Sequence, residues 1–356
     1  MRKLVLISFL AAGFNAQAEP LRVAVVGLRH GHVWGHLPKL LAGGPVKLVG
    51  IGEDMPPLIK RARELGAAET LFHNDWRKMV ETLKPELVWS FVETNRHREI
   101  VEFCAPRKIN VIFEKPLAAT YADARAMQTL ARKHSVQVMT NWPVAWWPAI
   151  METKKQVDAG LIGPVWRLHA VCSGAGGGGK DETSRIFYDW LHDPAKNGGG
   201  SLMDFGSYSA AWSVWLMGSP RWVMAQALYR QPERFPVKIE DHATILLGYA
   251  NGVSVLEGSW SLPVGARDAT ITGTTGVLEM SKDKLVYRNG RSAKDLPTPD
   301  LAAERADPIS YVVSVLRSGK PAGGLLSLEL NVAAVEILDA AKRSIQSGQP
   351  VRLPLE

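Results

Sequence analysis

The sequence predicts an α/β unit with a doubly wound parallel sheet, followed by an α+β unit whose sheet is mostly antiparallel. Strands and helices alternate from residue 21 to residue 140, the composition changes abruptly after residue 140, and short strands with turn signals follow. Alternation of strand and helix favours a parallel sheet, whereas short strands joined by turns favour antiparallel pairing. The 356 residues suit two domains better than one.

The first half of the chain contains apolar runs separated by helical patterns. We predict strands at Leu21–Val26, Val46–Ile51, Leu87–Val92, Val111–Phe113 and Val136–Thr140, and helices at Leu58–Leu65, His97–Arg107 and Tyr121–His134. Apolar runs without alternation are typical of strands buried on both faces of a parallel sheet.

The second half begins at Asn141–Pro148, where three tryptophans and two prolines place the domain boundary between residues 141 and 142. Gly174–Gly179 is almost entirely glycine and predicts a mobile loop. Ala250–Gly252 predicts a hairpin turn, and an apolar stripe over Leu328–Ile345 predicts a long helix. Further strands are predicted at Val165–Val171, Ala243–Tyr249, Val253–Trp260, Ala269–Thr272, Val277–Met280 and Lys284–Tyr287.

Residues 1–18 have the pattern of a secretory signal peptide. Met1-Arg2-Lys3 is basic, Leu4–Ala12 is apolar, and Ala16-Gln17-Ala18 is a small-x-small cleavage site. The apolar run is too short to span a bilayer. We therefore expect a periplasmic or secreted protein cleaved near Ala18, the alternative being a buried strand or helix.

The net charge bears on the expected partners, and the positions of the two cysteines bear on whether a disulfide forms. The formal charge of +7 falls to +5 without Arg2 and Lys3, and no basic cluster or stripe is present, so nucleic acid is not an expected partner. We expect no membrane association of the mature form. Cys104 and Cys172 fall in different predicted domains, which favours buried free thiols over a disulfide.

The first strand runs into a glycine-bearing turn, Gly27-Leu28-Arg29-His30-Gly31-His32. A dinucleotide pyrophosphate binds at such a turn, where the first strand gives way to a helix. Arg29 and His32 stand where the G-x-G-x-x-G pattern has its later glycines. We expect the Arg29 side chain to swing out and bind the pyrophosphate. Gly27, His30 and Gly31 are assigned to the same cofactor site.

Three histidines, His30, His32 and His36, also suggest a metal site. Metal sites usually include a carboxylate or thiolate beside the imidazoles, and neither is close in sequence here. Polar lining of a phosphate or substrate pocket is favoured, and no metal is expected.

Glu53 ends the second strand, 26 residues beyond Gly27. An acid at this place accepts hydrogen bonds from the adenosine ribose and repels a 2′-phosphate, which favours NAD over NADP. Two alternatives stay open, since Asp54 could take this role and Glu53 could be a solvated loop acid.

Glu114-Lys115-Pro116 follows the apolar run Val111–Phe113. Ligands of open α/β sheets bind beyond the carboxyl ends of such strands, so Lys115 is predicted at the rim of a binding crevice.

Asp204 and Tyr208 follow the glycines Gly198-Gly199-Gly200. Their i, i+4 spacing predicts one helix face, and Ser201 is the predicted N-cap. An acid beside a phenol can steer proton transfer, although the polar edge of an amphipathic helix is the plain alternative.

Together these motifs resemble the glucose–fructose oxidoreductase/inositol dehydrogenase/MocA (Gfo/Idh/MocA) family of NAD(P)-dependent oxidoreductases. The matching residues are Glu114-Lys115-Pro116, Asp193-Pro194…Gly198-Gly199-Gly200…Asp204…Tyr208, Lys84-Pro85-Glu86, Asn95…His97 and Lys320-Pro321…Gly348–Pro354. The resemblance implies an N-terminal Rossmann domain over 19–141 and a C-terminal open-faced sheet domain over 142–356. It also implies that the last helix packs back on the first domain and that the sheet forms a homo-oligomer.

The resemblance implies roles for individual residues. Lys115 orients the substrate hydroxyl or carbonyl, Asp204 is the acid of the catalytic helix, and Tyr208 stands where relatives usually have a proton-accepting histidine. A nearby lysine would lower the pKa of that phenol. Glu114 would help seat the nicotinamide ribose. Asn95 and His97 would border the cofactor, while Trp142, Trp190 and His192 are assigned to the substrate.

Three functions fit these features. The first is an exported oxidoreductase acting on a sugar or cyclitol, with tryptophans as stacking faces for a pyranose; core packing is the alternative for at least two of them. The second is a redox-neutral glycoside-cleaving enzyme with tightly bound NAD, since an exported protein meets no replenished nicotinamide pool. The third is a catalytically inactive sugar-binding module.

Overall fold

The computed structural model describes residues 19–235 and 237–356. The predicted signal peptide, residues 1–18, lies outside the described residues. No helix within the described ranges is long and apolar enough to cross a membrane.

The first part of the chain forms a parallel sheet flanked by helices. In chain order its elements are β1 (Leu21–Val26), α1 (Val33–Ala42), β2 (Val46–Gly52), α2 (Pro56–Glu64), β3 (Phe72–His73), α3 (Trp76–Leu83), β4 (Leu87–Ser90), α4 (His97–Cys104), β5 (Asn110–Glu114), α5 (Tyr121–His134) and β6 (Val138–Asn141). The strands are parallel in the order β3-β2-β1-β4-β5-β6. The order reverses between β1 and β4, which is where open α/β sheets bind ligands beyond the carboxyl ends of their strands.

Local sequence explains these elements. β4 is buried along its whole length, as its apolar run predicts. α5 begins at Thr120, whose hydroxyl accepts a hydrogen bond from the Asp123 amide, and it ends at Ser135 in the left-handed region. The strand β3 was not predicted, because a two-residue strand carries no periodicity. The helix α3 was not predicted either.

The second part forms a larger sheet, and its elements in chain order are α6 (Pro148–Asp158), β7 (Val165–Ser173), α7 (Glu182–Leu191), α8 (Pro194–Asn197), α9 (Ser201–Asp204), α10 (Gly206–Met217), β8 (Trp222–Leu228), β9 (His242–Gly248), β10 (Val253–Ser259), β11 (Ala266–Gly273), β12 (Val277–Met280), β13 (Leu285–Asn289), β14 (Ser292–Leu296), α11 (Pro308–Ser318), α12 (Leu328–Ser347) and β15 (Val351–Arg352). The order is β14-β13-β12-β11-β7-β10-β9-β8-β15. β7 and β10 pair parallel and the registered neighbours elsewhere pair antiparallel. The predicted fold class is confirmed, as are the β9–β10 hairpin and the two buried free cysteines.

Helices α10 and α12 cover one face of the second sheet, and α12 also reaches the first part of the chain. Asp339 of α12 accepts a hydrogen bond from the Tyr121 amide at 3.2 Å, and Lys342 donates to the Ala119 carbonyl at 3.0 Å. These contacts bring the carboxyl end of β5 against the segment that carries α9 and α10.

The single helix predicted for Asp204 and Tyr208 is wrong. The chain leaves α9 at Phe205 and starts α10 at Gly206, so the two side chains lie on different helices. Ser201 is the first helical residue rather than the N-cap. The Glu240 carboxylate instead accepts from the amides of Gly200 and Leu202, at 2.6 and 3.3 Å. A cap 40 residues away in sequence leaves no local signal.

The close approach of β10 to α10 generates the first prediction. A Cβ on Gly258 would lie 2.3 Å from the Gly206 amide nitrogen, a backbone atom that cannot move without its helix. We expect Gly258→Ala to lower the free energy of unfolding by about 1–3 kcal/mol, measured by urea denaturation. Gly265→Ala is the control, because its added Cβ meets no atom nearer than 3.7 Å. Equal losses in both variants would contradict this packing account.

Candidate active site

A buried ion pair joins the two parts of the chain at the centre of the site. Lys115 follows β5, and its Nζ donates to Oδ1 of Asp204 and, at 3.0 Å, to the Asp204 carbonyl. The two side chains are only 6% and 10% exposed. Trp260 Nε1 donates to Asp204 Oδ2 at 2.8 Å, so both carboxylate oxygens have a donor.

Both members of this pair keep their charge. Burial disfavours the Asp204 carboxylate, but Lys115 more than offsets it, so the pKa of Asp204 lies below its usual value. Burial also disfavours the Lys115 ammonium, yet Asp204 holds the pKa of Lys115 above its usual value. The pair is therefore ionised at neutral pH.

Tyr208 lies beside this pair. Lys115 Nζ is 4.9 Å from the centre of its ring, and the guanidinium carbon of Arg267 is 4.7 Å from it. Burial nevertheless raises the pKa of Tyr208, and the two cations offset only part of that effect. The lowered phenol pKa expected from the sequence is wrong in sign, because desolvation of the buried ring outweighs the nearby charges.

Glu114 is the centre of a second polar group. His32 Nδ1 lies 2.8 Å from one carboxylate oxygen, and Asn141 Nδ2 donates to the other at 2.8 Å. His36 Nε2 is 3.5 Å from the second oxygen. Burial opposes ionisation, but these neighbours hold the pKa of Glu114 below its usual value. The carboxylate is thus an ionised acceptor beside Lys115.

The same group brings together three potential metal ligands. His30, His32 and Glu114 each offer one atom within 4.8 Å of the others, so the fold supplies the carboxylate that is distant in sequence. Hydrogen bonds already engage these groups, since the His32 amide donates to His30 Nδ1 at 3.2 Å and His32 Nδ1 pairs with Glu114. The absence of a metal stays a prediction.

The glycine-bearing turn keeps its first glycine for a steric reason. Gly27 has φ of 78°, and a Cβ there would lie 2.6 Å from Val92 Cγ1. The amides of Arg29 and His30 both donate to the Phe91 carbonyl, at 3.0 and 2.9 Å. Because the fold uses these amides, the Arg29 side chain is the main donor left at the turn.

Arg29 swings out of the turn as expected, but it reaches two carboxylates. Its Nη1 lies 2.7 Å from Glu93 Oε1, and its Nη2 lies 3.1 Å from Asp54 Oδ1. Glu93 follows β4 and was not singled out from the sequence. The guanidinium therefore spans the crevice at the carboxyl ends of β2 and β4.

Glu53 does not present its carboxylate to the crevice as a ribose acceptor. The two oxygens accept from the amides of Leu28, Asp54 and Met55, at 2.7, 2.9 and 3.0 Å. The ribose-acceptor role expected of Glu53 is wrong, because its buried carboxylate accepts hydrogen bonds from backbone amides after β1 and after β2. Asp54, whose side chain is 65% exposed, is the acid that faces outward.

The expectation that Asn95 and His97 border the cofactor stays a prediction. His97 is buried, its Nδ1 donates to the Leu117 carbonyl at 2.9 Å, and its ring stacks on Phe113. It therefore links α4 to the segment after β5. Asn95 is exposed on the turn before α4.

The two tryptophans assigned to the substrate belong to the core. Trp142 and Trp190 are 1% and 3% exposed and pack in the buried core, which favours the core-packing alternative; their contact with the substrate stays a prediction. Trp142 Nε1 donates to Asn331, and Trp190 Nε1 donates to the Arg29 carbonyl. His192 is also buried. Its Nε2 donates to the Gly176 carbonyl at 2.6 Å, and the centre of its ring lies 5.3 Å from that of Trp260.

The site thus contains residues that sequence reasoning missed, chiefly Trp260, Arg267 and Glu93. Trp260 and Arg267 lie 56 and 63 positions beyond Asp204 in sequence, at the end of β10 and on β11. Nothing local distinguishes them from other strand residues, because only the pairing of β7 with β10 and β11 brings them to Asp204.

A parallel sheet of this strand order, with a glycine turn at its switch point, is the arrangement in which Rossmann folds bind dinucleotides. Residues 21–142 match the family model described as "Oxidoreductase family, NAD-binding Rossmann fold", and residues 150–279 match "GFO/IDH/MocA C-terminal domain". The chain belongs to the Gfo/Idh/MocA family of oxidoreductases. The expected resemblance, enzyme class and NAD cofactor are confirmed.

Curated relatives and solved structures agree with this assignment. A D-apiose dehydrogenase of Rhizobium rhizogenes is 26% identical over 195 residues, which cover 52% of this chain and 52% of that protein. A trans-1,2-dihydrobenzene-1,2-diol dehydrogenase of Mus musculus is 23% identical, over 80% of this chain and 87% of that protein. The match thus spans about half of the first relative and most of the second.

Among solved structures, the aldose–aldose oxidoreductase of Caulobacter crescentus complexed with glycerol has a TM-score of 0.80 at 21% identity, covering 94% of this chain and 100% of that one. A levoglucosan dehydrogenase in complex with NADH and levoglucosan has a TM-score of 0.76 at 20% identity, with 95% and 100% coverage. At these identities the likeness shows the fold.

The burial of His97 predicts a pH dependence of stability. Burial lowers the pKa of His97 from 6.5 to about 4, so between these values the unfolded chain binds a proton that the folded chain does not. This contribution to the free energy of unfolding is full above pH 6.5 and is lost as the pH falls towards 4. We expect His97 alone to account for about 2 kcal/mol of loss between pH 8 and pH 5.

Urea denaturation at several pH values measures this loss. His97→Gln should flatten the acid slope, whereas Gln128→Ala, which changes no titratable group on α5, should keep the wild-type slope. An unchanged slope in His97→Gln would contradict the assignment.

Proposed function

We propose that this chain is an exported oxidoreductase that transfers a hydride between NAD and a hydroxyl-bearing or carbonyl carbon of a sugar or cyclitol. The observation that carries the proposal is the meeting of Lys115, Asp204 and Tyr208 beyond the carboxyl end of β5. Relatives named for apiose and levoglucosan support a carbohydrate substrate. The domain boundary between residues 141 and 142 and a homo-oligomer through the second sheet belong to the same proposal.

Lys115 is proposed to hold the substrate oxygen. An ammonium group has three donors, and Asp204 accepts two of them through a carboxylate oxygen and its carbonyl. No other acceptor in the described part of the chain meets the ammonium, which leaves its third donor for a hydroxyl or carbonyl oxygen. Asp204, itself held by Trp260, fixes the direction of this donor.

Tyr208 is proposed to carry the proton. NAD, when bound, supplies the carbon that accepts or gives the hydride. Because burial raises the pKa of Tyr208, the phenol is protonated at neutral pH. It is thus ready to donate a proton to the oxygen of a carbonyl that receives a hydride, while Lys115 steadies the developing charge. In the oxidising direction Tyr208 must first lose its proton.

The cofactor is proposed to lie along the crevice from Gly27 to Glu114. Arg29 would exchange Glu93 and Asp54 for the pyrophosphate, and Asp54 would meet the adenosine ribose, which favours NAD over NADP. Glu114, ionised and next to Lys115, would seat the nicotinamide ribose.

A redox-neutral glycoside-cleaving activity is the second candidate. The signal-peptide pattern of residues 1–18 favours it, because an exported enzyme that returns its hydride needs no nicotinamide pool. Release of sugar from a chromogenic glycoside without net NADH would favour this candidate over the first.

The role of the phenol is tested with Tyr208→Phe. We expect kcat to fall by about 10²- to 10⁴-fold, because the proton carrier is lost while the ring is kept. NAD affinity, measured by fluorescence titration, should stay close to wild type. Tyr229→Phe, which changes an exposed phenol on the second part of the chain, is the control. Full activity of Tyr208→Phe with either a sugar or a cyclitol would refute this assignment.

Export and cofactor retention are tested together on protein produced with its own leader. We expect N-terminal sequencing of the exported fraction to begin at Glu19. Mass spectrometry of the ligand released from that protein should find a nicotinamide dinucleotide. A chain retained in the cytoplasm with Met1 intact would contradict export, and failure to bind NAD under any condition would contradict the activity.

A further inference from the structure

Arg267 of β11 stands over the rings next to the ion pair. Its guanidinium carbon is 4.2 Å from the centre of the Phe205 ring and 4.7 Å from that of Tyr208. Its Nη1 donates to the carbonyls of Ser173 and Ala266. The side chain is thus fixed at the phenol proposed to carry the proton.

The rest of this guanidinium has no partner in residues 19–235 and 237–356. Nε and Nη2 make no hydrogen bond there, and no carboxylate lies within ion-pair distance of the group. Neither nitrogen is among the fully buried atoms that lack a partner, so both keep access to solvent. Three N–H donors of this half-buried arginine, one on Nε and two on Nη2, are therefore unpaired within the described ranges.

The charges around this group do not cancel. Lys115 and Asp204 neutralise each other. Glu114 lies with His32 on the side proposed for the nicotinamide ribose, where it can offset the positive charge of the oxidised ring. Arg267 has no ion-pair partner in the described part of the chain, because Asp268, the next residue on β11, is exposed and lies beyond ion-pair distance of the guanidinium. The faces of Phe205 and Tyr208 stabilise this cation, and an anion that pairs with it would offset the remaining cost of its partial desolvation.

A second arginine, Arg234, lies in the same region. Arg234 Nη2 donates to the Ala175 carbonyl at 2.6 Å, and the guanidinium of Arg234 lies 5.6 Å from the centre of the Phe235 ring. The segment that follows β7 is therefore held by two arginines through its carbonyls, at Ser173 and at Ala175.

We propose that Arg267 binds a carboxylate of the substrate, so that the enzyme prefers sugar acids such as uronates and aldonates to neutral sugars. The inference rests on the proposed function and names its substrate class. The planar fork of arginine matches the two oxygens of a carboxylate, and one carboxylate charge balances the one uncompensated cation. A sugar phosphate offers the same kind of acceptor but brings nearly two charges, and it is an arm of the test.

The test compares matched substrates on the purified, NAD-loaded enzyme. NADH formation gives kcat/KM for glucose against glucuronate and for galactose against galacturonate. We expect the wild type to prefer the uronate by about 10- to 100-fold, the range of a hydrogen bond to a charged group. Arg267→Met should remove this preference, because kcat/KM should fall at least about 10-fold further for the uronate than for the neutral sugar.

Two further variants separate recognition from loop support. Arg267→Lys keeps the positive charge but not the planar pair of N–H donors, and should keep part of the uronate preference. It replaces Arg267→Met in the comparison if that variant does not fold. Arg234→Met removes an equivalent contact with the same segment without touching the Tyr208 ring, and should lower kcat/KM for both sugars alike. An equal loss for both sugars in Arg267→Met would overturn the inference, since it would mean that Arg267 only supports the segment.

The remaining outcomes are distinguishable. Turnover of neutral sugars with no preference for uronates, or a preference for glucose 6-phosphate over glucuronate, would overturn the inference and leave the proposed function intact. Absence of turnover with every sugar would overturn the proposed function. In that event calorimetric titration with glucuronate still decides the inference, because binding should be at least about 10-fold weaker in Arg267→Met.

Discussion

The site depends on two opposite charges that are buried together. Lys115 comes from the carboxyl end of a parallel strand and Asp204 from a short helix of the second part of the chain, and neither could stay ionised at this depth alone. A buried pair needs partners for its other hydrogen-bonding positions, and the Trp260 indole serves Asp204 while the Asp204 carbonyl serves Lys115, which leaves one donor of the ammonium for the proposed substrate. The same ion pair therefore joins the two parts of the chain and forms the centre of the site.

The surrounding framework fixes this pair through rigid elements. Glu240 caps α9 from a distance in sequence, and Gly258 lets β10 approach the first turn of α10 closely enough to place Trp260 at the carboxylate. The segment after β7 is held at three carbonyls by donors of His192, Arg234 and Arg267. Its glycine content, which predicts mobility, is also what permits this close course over the aromatic rings.

The crevice of the first sheet has a balanced set of charges that an ordinary glycine-rich turn lacks. Arg29 and His32 occupy positions that glycines usually hold. Arg29 pairs with Asp54, which follows β2, and with Glu93, which follows β4. His32 pairs with Glu114, the last residue of β5. A pyrophosphate that binds here must compete with those carboxylates for the guanidinium. In the proposed binding mode, the guanidinium exchanges these carboxylates for the pyrophosphate.

The sequence by itself determined the fold class, the family, the order of the main strands and the positions of Lys115 and Asp204. These follow from local properties: apolar runs define buried strands, and short motifs mark the ends where ligands bind. Tertiary structure decided which carboxylate faces the crevice, that Trp142 and Trp190 are core residues, and that burial outweighs two cations at Tyr208. It also brought Trp260 and Arg267 to the site. The reason is physical: hydrogen-bond partners, desolvation and charge balance are set by atoms distant in sequence, and these come together only when the two sheets pack.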